Sequence, residues 1–283
     1  MVRILTTKDK PLKYLYSDSP LADNVLPNQQ WEKQGTLQLA TIQSKIPFDT
    51  FQELDARLPL ESHHLALFSD TPKLPKAVFF DMDSTLVEEE SIVELAKEAG
   101  THDEVKRITD EAMNGRLDFS QALEKRVATL EGLSTEVIGQ IASRFQLTEE
   151  VENILLFLKS KSIPYFLISG GFNSLARPLA TRFHFSEFRA NELEKKAGRL
   201  TGKLVGAYVN ENTKEEFVRE ICQKLGIRPR ECAAFGDGAN DSKMLSIVGT
   251  AVGFRPKKVL LPVLDVYLGR SYAFMTEIWK AHS

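Results

Sequence analysis

Cysteine is scarce: Cys222 and Cys232 are the whole complement, too few for a disulfide scaffold and in keeping with a reducing compartment. No uncharged apolar run reaches membrane-spanning length, and the opening Met1-Val2-Arg3-Ile4-Leu5 lacks the apolar stretch of a secretory leader. Neither sign of charge dominates, since 36 Lys and Arg face 39 Asp and Glu for a formal net charge of −3. A general nucleic-acid binder would need a basic excess or a basic face. At 42% hydrophobic and 27% charged residues, the composition also excludes a disordered or fibrous chain. The expectation is a globular cytoplasmic protein with neither nucleic-acid nor membrane partners. Its 283 residues suffice for a large core and, at about 150 residues per domain, for roughly two domains.

Residues 1–72 alternate short apolar runs (2–5, 37–42, 65–68) with turn-rich pieces such as Ser17-Asp18-Ser19-Pro20. One helical candidate, 48–58, places Phe51, Leu54 and Leu58 on one face. This predicts a small N-terminal α+β domain with no catalytic constellation of its own. Ser69 to Pro75 reads as a linker, because its two prolines favour extended chain.

From residue 76 apolar strands alternate with helices. Ala77-Val78-Phe79-Phe80, 163–168 and Cys232-Ala233-Ala234-Phe235 are apolar without alternation, as in a parallel sheet covered on both faces. Each runs into a polar turn: Asp81-Met82-Asp83, Ser169-Gly170-Gly171 and Gly236-Asp237-Gly238. Open α/β sheets bind ligands at such carboxyl ends. Between the first two strands the pattern is helical throughout, with candidates 91–99, 103–114 (stopped by Gly115), 119–130 and 135–144. Thr101 with Glu104, and Asp118 with Gln121, have capping-box spacing. The fold class is therefore α/β, a Rossmann-like parallel sheet over 73–88 and 146–283. A helical-bundle cap, 89–145, is inserted after the first core strand, and the small domain precedes it.

Four segments carry chemistry. Asp81 and Asp83 leave a strand on the same side, and close carboxylates persist where a cation or a proton is shared. One such group can act as a nucleophile and the other as an acid. Ser169-Gly170-Gly171 offers backbone N–H groups and a hydroxyl to an anion. Thr213 with Glu216 has capping-box spacing, which predicts a helix over 214–225 with Lys214 at its first position. The helix macrodipole disfavours a cation there. Asp237, between two glycines, joins the Asp81/Asp83 pair in an all-oxygen set of the type that Mg²⁺ prefers, with Asn240 and Asp241 opening the next helix. In the cap, Arg126 lies on the apolar stripe with Phe119, Leu123 and Leu130. An arginine on such a face wants an anion, and a carboxylate would satisfy it bidentately.

In their order and context these segments resemble the motifs of the haloacid dehalogenase-like phosphohydrolases, and Glu90, residues 111–127 and Ala190-Asn191-Glu192-Leu193-Glu194 look closer still to the phosphoserine phosphatases among them. The resemblance covers about residues 77–255 and does not reach the first 72. It implies Asp81 as the phosphorylated nucleophile, Asp83 as general acid and then base, and Mg²⁺ on Asp81, the Asp83 carbonyl and Asp237. It further implies phosphate binding by Ser169, Gly170, Gly171 and Lys214, with Asn240 and Asp241 in support. Glu90, Met113, Phe119 and Arg126 would then hold O-phospho-L-serine in the cap. Another small phosphoester or phosphorylated amino acid is the alternative substrate, and a homodimer is left open. Relatives often carry an N-terminal regulatory domain, so residues 1–72 are either a serine-binding regulatory unit or a structural, dimerising one. Two departures from the resembling proteins are Val93, where an acidic residue is commoner, and Thr148-Glu149-Glu150-Val151, which lacks a Pro-Gly turn.

Overall fold

The computed structural model describes residues 72–113, 116–269 and 271–281, together with 6–7, 10–11, 14–17, 31–34, 37–41 and 66–68. The helical candidate 48–58, the apolar run 2–5 and the glycine stop at 115 lie outside the described residues. Short strands come first: β1 (Thr6–Thr7), β2 (Lys10–Pro11), β3 (Tyr14–Ser17), β4 (Trp31–Gln34), β5 (Leu37–Thr41) and β6 (Ala66–Phe68). Then β7 (Ala77–Phe80) leads into the helices α1 (Ser91–Ala99), α2 (His102–Met113), α3 (Phe119–Ala128) and α4 (Thr135–Arg144). After them come α5 (Val151–Ser160), β8 (Tyr165–Phe172), α6 (Asn173–Arg182), the hairpin of β9 (Glu187–Lys196) and β10 (Arg199–Val205), and α7 (Glu211–Leu225). The chain ends with β11 (Cys232–Gly236), α8 (Ser242–Ile247), β12 (Thr250–Phe254), β13 (Val266–Leu268) and α9 (Ala273–Ala281).

The sheet order is β10-β9-β8-β7-β11-β12-β13-β6-β3-β5-β4. From β9 to β13 every pairing is parallel. The hairpin strand β10 is antiparallel, and so are the N-terminal strands, which enter through β6 against β13. Two apolar clusters explain why the central strands do not alternate. Val78 and Phe80 point into one with α5, α6 and α9, and Ala77 and Phe79 into the other with α7 and α8. Phe80 stacks on Phe235 at 4.7 Å, and Phe79 on Phe166 at 5.2 Å. The end of β7, which leads to Asp81, is thus held by ring contacts on both faces, and the end of β11, which leads to Asp237, by Phe235 on one.

The inserted helices follow local rules. Gly100 stops α1 in the left-handed conformation, at φ 71°. Asp118 and Gln121 form the reciprocal capping box that starts α3. Where resembling proteins have Pro-Gly, Glu150 itself takes the left-handed conformation at φ 63° before α5, a strained choice for a residue with a Cβ. Two expectations need correction. The segment Ser169-Gly170-Gly171 is not a turn that ends its strand: β8 runs on to Phe172, and its register with β9 shifts between Ile168 and Phe172. The second glycine of the bulge has room for no side chain, as its contacts below show. Nor does the helix carrying Lys214 begin at that residue. It begins at Glu211, because the Asn210 side chain accepts from the N–H groups of Asn212 (2.9 Å) and Thr213 (3.1 Å).

Candidate active site

The ends of β7, β8 and β11 meet the N-terminus of α1 around a cavity of about 360 Å³. Asp81, Asp83, Glu90, Arg126, Gly170, Gly171, Asp237 and Asn240, all singled out from sequence, line it. Lys214 and Ser169 are fully buried just behind it. The side chains of Met113 and Phe119 lie outside the described residues.

Asp81 caps the turn after β7, its Oδ1 accepting from the Met82 N–H at 2.8 Å. The same oxygen meets Lys214 Nζ at 2.7 Å, and Lys214 also reaches Asp241 Oδ1 at 2.7 Å. Because α7 starts one turn early, Lys214 sits inside the helix and projects between two carboxylates with no exposed surface. Burial alone would lower its pKa. Asp241 and Asp81 outweigh that and hold it above the ordinary lysine range, so the ammonium is a permanent charge. Asp241 is engaged on both oxygens, since Oδ2 accepts from the N–H groups of Asp237 (3.2 Å) and Gly238 (3.1 Å). It thereby fixes the turn that presents Asp237. A Cβ on Gly236 would fall 2.4 Å from Asp241 Cγ, so this close approach requires glycine.

Asp83 is anchored by the first residue of α1: Ser91 donates its N–H (3.1 Å) and its hydroxyl (2.5 Å) to the two carboxylate oxygens. Burial, then the charge of Glu90, push the Asp83 pKa up to about 7, against the pull of Ser91. A carboxyl poised there holds or releases a proton near neutrality, as a general acid–base group requires. Burial and then Asp241 likewise push Asp237 up to about 6. Burial also raises Asp81 well above the carboxylate range, with Asp241 adding to it and Lys214 opposing.

Asp81, Asp237 and Asp241 bring carboxylate oxygens within 4.8 Å of one another. These are hard oxygen donors in excess of their internal counter-charge, which fits a divalent metal ion. With Asp241 committed to Lys214 and to backbone, Asp81 and Asp237 are the two left to hold it.

On the other wall Gly171 packs against Asp83 and Ser91. A Cβ there would lie 2.7 Å from Ser91 Oγ and 3.0 Å from Asp83 Oδ2. Its N–H donates to Ser169 Oγ at 2.8 Å, so the Gly171 N–H is committed within the bulge while the Ser169 hydroxyl keeps its own proton to donate. Asn191, noted in the sequence only as part of the resembling segment and given no role there, braces the bulge by donating to the Gly170 carbonyl (2.7 Å) and accepting from the Val209 N–H (2.8 Å). In the cap Glu90 accepts from Ser84 Oγ at 2.9 Å. Arg126 is half-buried and donates Nε to the Ala122 carbonyl at 3.1 Å. Burial pulls its pKa down while Glu90 and Asp83 pull it up. Ser91 and Lys257, the latter 3.4 Å from Asp237 Oδ2, were also not singled out. A serine opening a helix and a lysine in a basic run carry no distinguishing local signal.

Among the described residues no helix is long and apolar enough to cross a membrane. A family model for haloacid dehalogenase-like hydrolases matches residues 75–249. The phosphoserine phosphatase of Archaeoglobus fulgidus is 41% identical over 219 residues, 75% of this chain and 64% of that protein, just under two thirds of its length. That of Methanocaldococcus jannaschii is 38% identical over 194 residues, 69% of this chain and 92% of that protein. A solved phospho-aspartyl intermediate analogue of a phosphoserine phosphatase superposes with a TM-score of 0.67 at 36% identity, covering 73% of this chain and 99% of the other. With its acidic strand ends, the helices between them and the buried lysine all inside the matched region, the chain belongs to the haloacid dehalogenase-like hydrolases.

Proposed function

We propose that this chain is a Mg²⁺-dependent phosphoserine phosphatase that hydrolyses O-phospho-L-serine to L-serine and phosphate. The observation that carries the reading is one cavity lined by Asp81, Asp83 and Asp237 on its core side and by Glu90 and Arg126 on its cap side. Two relatives matched over most of this chain's catalytic region are phosphoserine phosphatases.

Asp81, Asp237 and the Asp83 carbonyl would hold Mg²⁺, which would supply positive charge to the phosphoryl oxygens when bound. Asp81 attacks phosphorus through Oδ2, the oxygen outside its contacts with Met82 and Lys214. The ester P–O bond breaks as the new one forms, and Asp83 gives its proton to the departing serine oxygen. In the second half Asp83 takes a proton from water, which attacks the aspartyl-phosphate, releases phosphate and restores the Asp81 carboxylate. Lys214 neutralises Asp81 and the incoming phosphoryl charge together, and Ser169 and the Gly170 N–H hold the remaining oxygens with Asn240 beside them. This is catalysis by positioning and by fixed charge. Arg126 takes the substrate carboxylate and Glu90 the ammonium, so the helices of 89–145 select the substrate while the sheet performs the chemistry.

Phosphate release from O-phospho-L-serine, phosphothreonine and several sugar phosphates tests the reading. Mg²⁺-dependent release with strong preference for phosphoserine, abolished by EDTA and by Asp81→Asn, is the expected result. Release from other esters alone would retain the chemistry and reject the substrate; no Mg²⁺-dependent release from any ester would reject both.

A further inference from the structure

Lys257 follows β12 and the Phe254-Arg255-Pro256 turn, and its backbone N–H donates to the Asp237 carbonyl at 2.8 Å. That bond fixes the lysine beside Asp237, whose Oδ2 lies 3.4 Å from Nζ. Both residues line the cavity. The two lysines that touch the acidic group differ in kind. Lys214 is fully buried and makes two 2.7 Å contacts, to Asp81 and Asp241. The Lys257 side chain is 64% exposed and makes one longer contact, to an Asp237 side chain that is itself 11% exposed. Asp237, Glu90 and Asp241 all draw on its charge. Lys214 leaves Asp237 without a counter-charge of its own, and Lys257 supplies one from a flexible stem that water can replace.

We infer that Lys257 is a positioning residue that competes with the divalent cation for the carboxylate of Asp237. The inference rests on Asp237 as a metal ligand. When the cation takes Asp237 Oδ2, the ammonium is repelled and turns toward the cavity mouth. The ion pair keeps Asp237 from standing unpaired between catalytic cycles and sets how much Mg²⁺ is needed to load the site. An exposed pair of this kind is worth up to about 1 kcal/mol, so its removal tightens Mg²⁺ binding by about two- to fivefold.

The test is thermal unfolding of the full chain titrated with Mg²⁺ alone, without substrate. Lys257→Met lowers the Mg²⁺ concentration for half-maximal stabilisation about two- to fivefold, and Lys257→Arg keeps the wild-type value. Lys243→Met is the control for general charge, because Lys243 pairs with Glu211 and Asn212 instead. An unchanged or raised midpoint in Lys257→Met, or an equal shift in Lys243→Met, overturns the inference. Asp237→Asn separates the two levels of the argument. If it is stabilised by Mg²⁺ as well as wild type is, or if wild type is not stabilised at all, the metal-ligand reading fails and the inference fails with it. If Asp237→Asn alone loses the effect and Lys257→Met matches wild type, only the inference fails.

Discussion

At the scale of single residues, the proposed function makes Arg126 the most discriminating side chain in the site. Its Nε is committed to the Ala122 carbonyl, which leaves the two terminal nitrogens as a fork for a carboxylate. Lysine keeps the charge but not the fork. Arg126→Lys should therefore raise KM for O-phospho-L-serine about tenfold, some 1.4 kcal/mol, with a much smaller change in kcat; steady-state kinetics on the pair reads the split. Asp81, Asp83 and Asp237 were legible because a carboxylate just past the end of an apolar strand breaks the local pattern, and Asp237 also stands between two glycines. Arg126 was legible for the same reason, as a charge on an apolar stripe. Ser91 was not, because a serine opening a helix breaks no rule, and its role comes only from where Asp83 turns after β7.

At the scale of elements, α7 shows how one cap places a charge. The Asn210 bonds to Asn212 and Thr213 start the helix a turn before the Thr213–Glu216 spacing suggests. Lys214 thus points into the site from within a formed helix, where it does not oppose the free N–H groups of a first turn. Asn210→Ala should lower global stability by about 1 kcal/mol, read by denaturant unfolding, while kcat stays near wild type well below the melting temperature. Helices 91–99 and 135–144 matched their expected bounds residue for residue. The start of α7 did not, because Asn210 and Thr213 are both good caps and sequence spacing alone does not choose between them. The β8 bulge was read as a turn because glycine pairs serve both, and only the packing of Gly171 against Ser91 and Asp83 separates the two.

At the scale of the whole molecule, the site stores unfavourable charge. Asp83 and Asp237 hold protons up to about pH 7 and about pH 6 in the fold, against about 4 for unfolded carboxylates. Between these values the folded chain binds more protons than the unfolded one, so stability with EDTA present falls as pH rises from about 4 to about 7. Glu231, held down to about 2 by Lys76 and then Arg228, titrates below this window and does not offset it. Stabilisation by Mg²⁺ should consequently be larger at about pH 7.5 than at about pH 5, and melting curves with and without EDTA check it. The parallel core was legible because strands buried on both faces read as unbroken apolar runs. The pairing of β6 with β13 was not, because strand partners so far apart in sequence leave no local trace.

The central claim is that Asp81 carries the phosphoryl group of phosphoserine. Rapid quenching of the enzyme with O-phospho-L-serine and Mg²⁺, followed by proteolysis and mass spectrometry, tests it directly. One phosphoryl group is expected on the peptide containing Asp81, formed no more slowly than phosphate is released and lost in Asp81→Asn. Phosphate release with that peptide unmodified, or with the phosphoryl group on another residue, would contradict it.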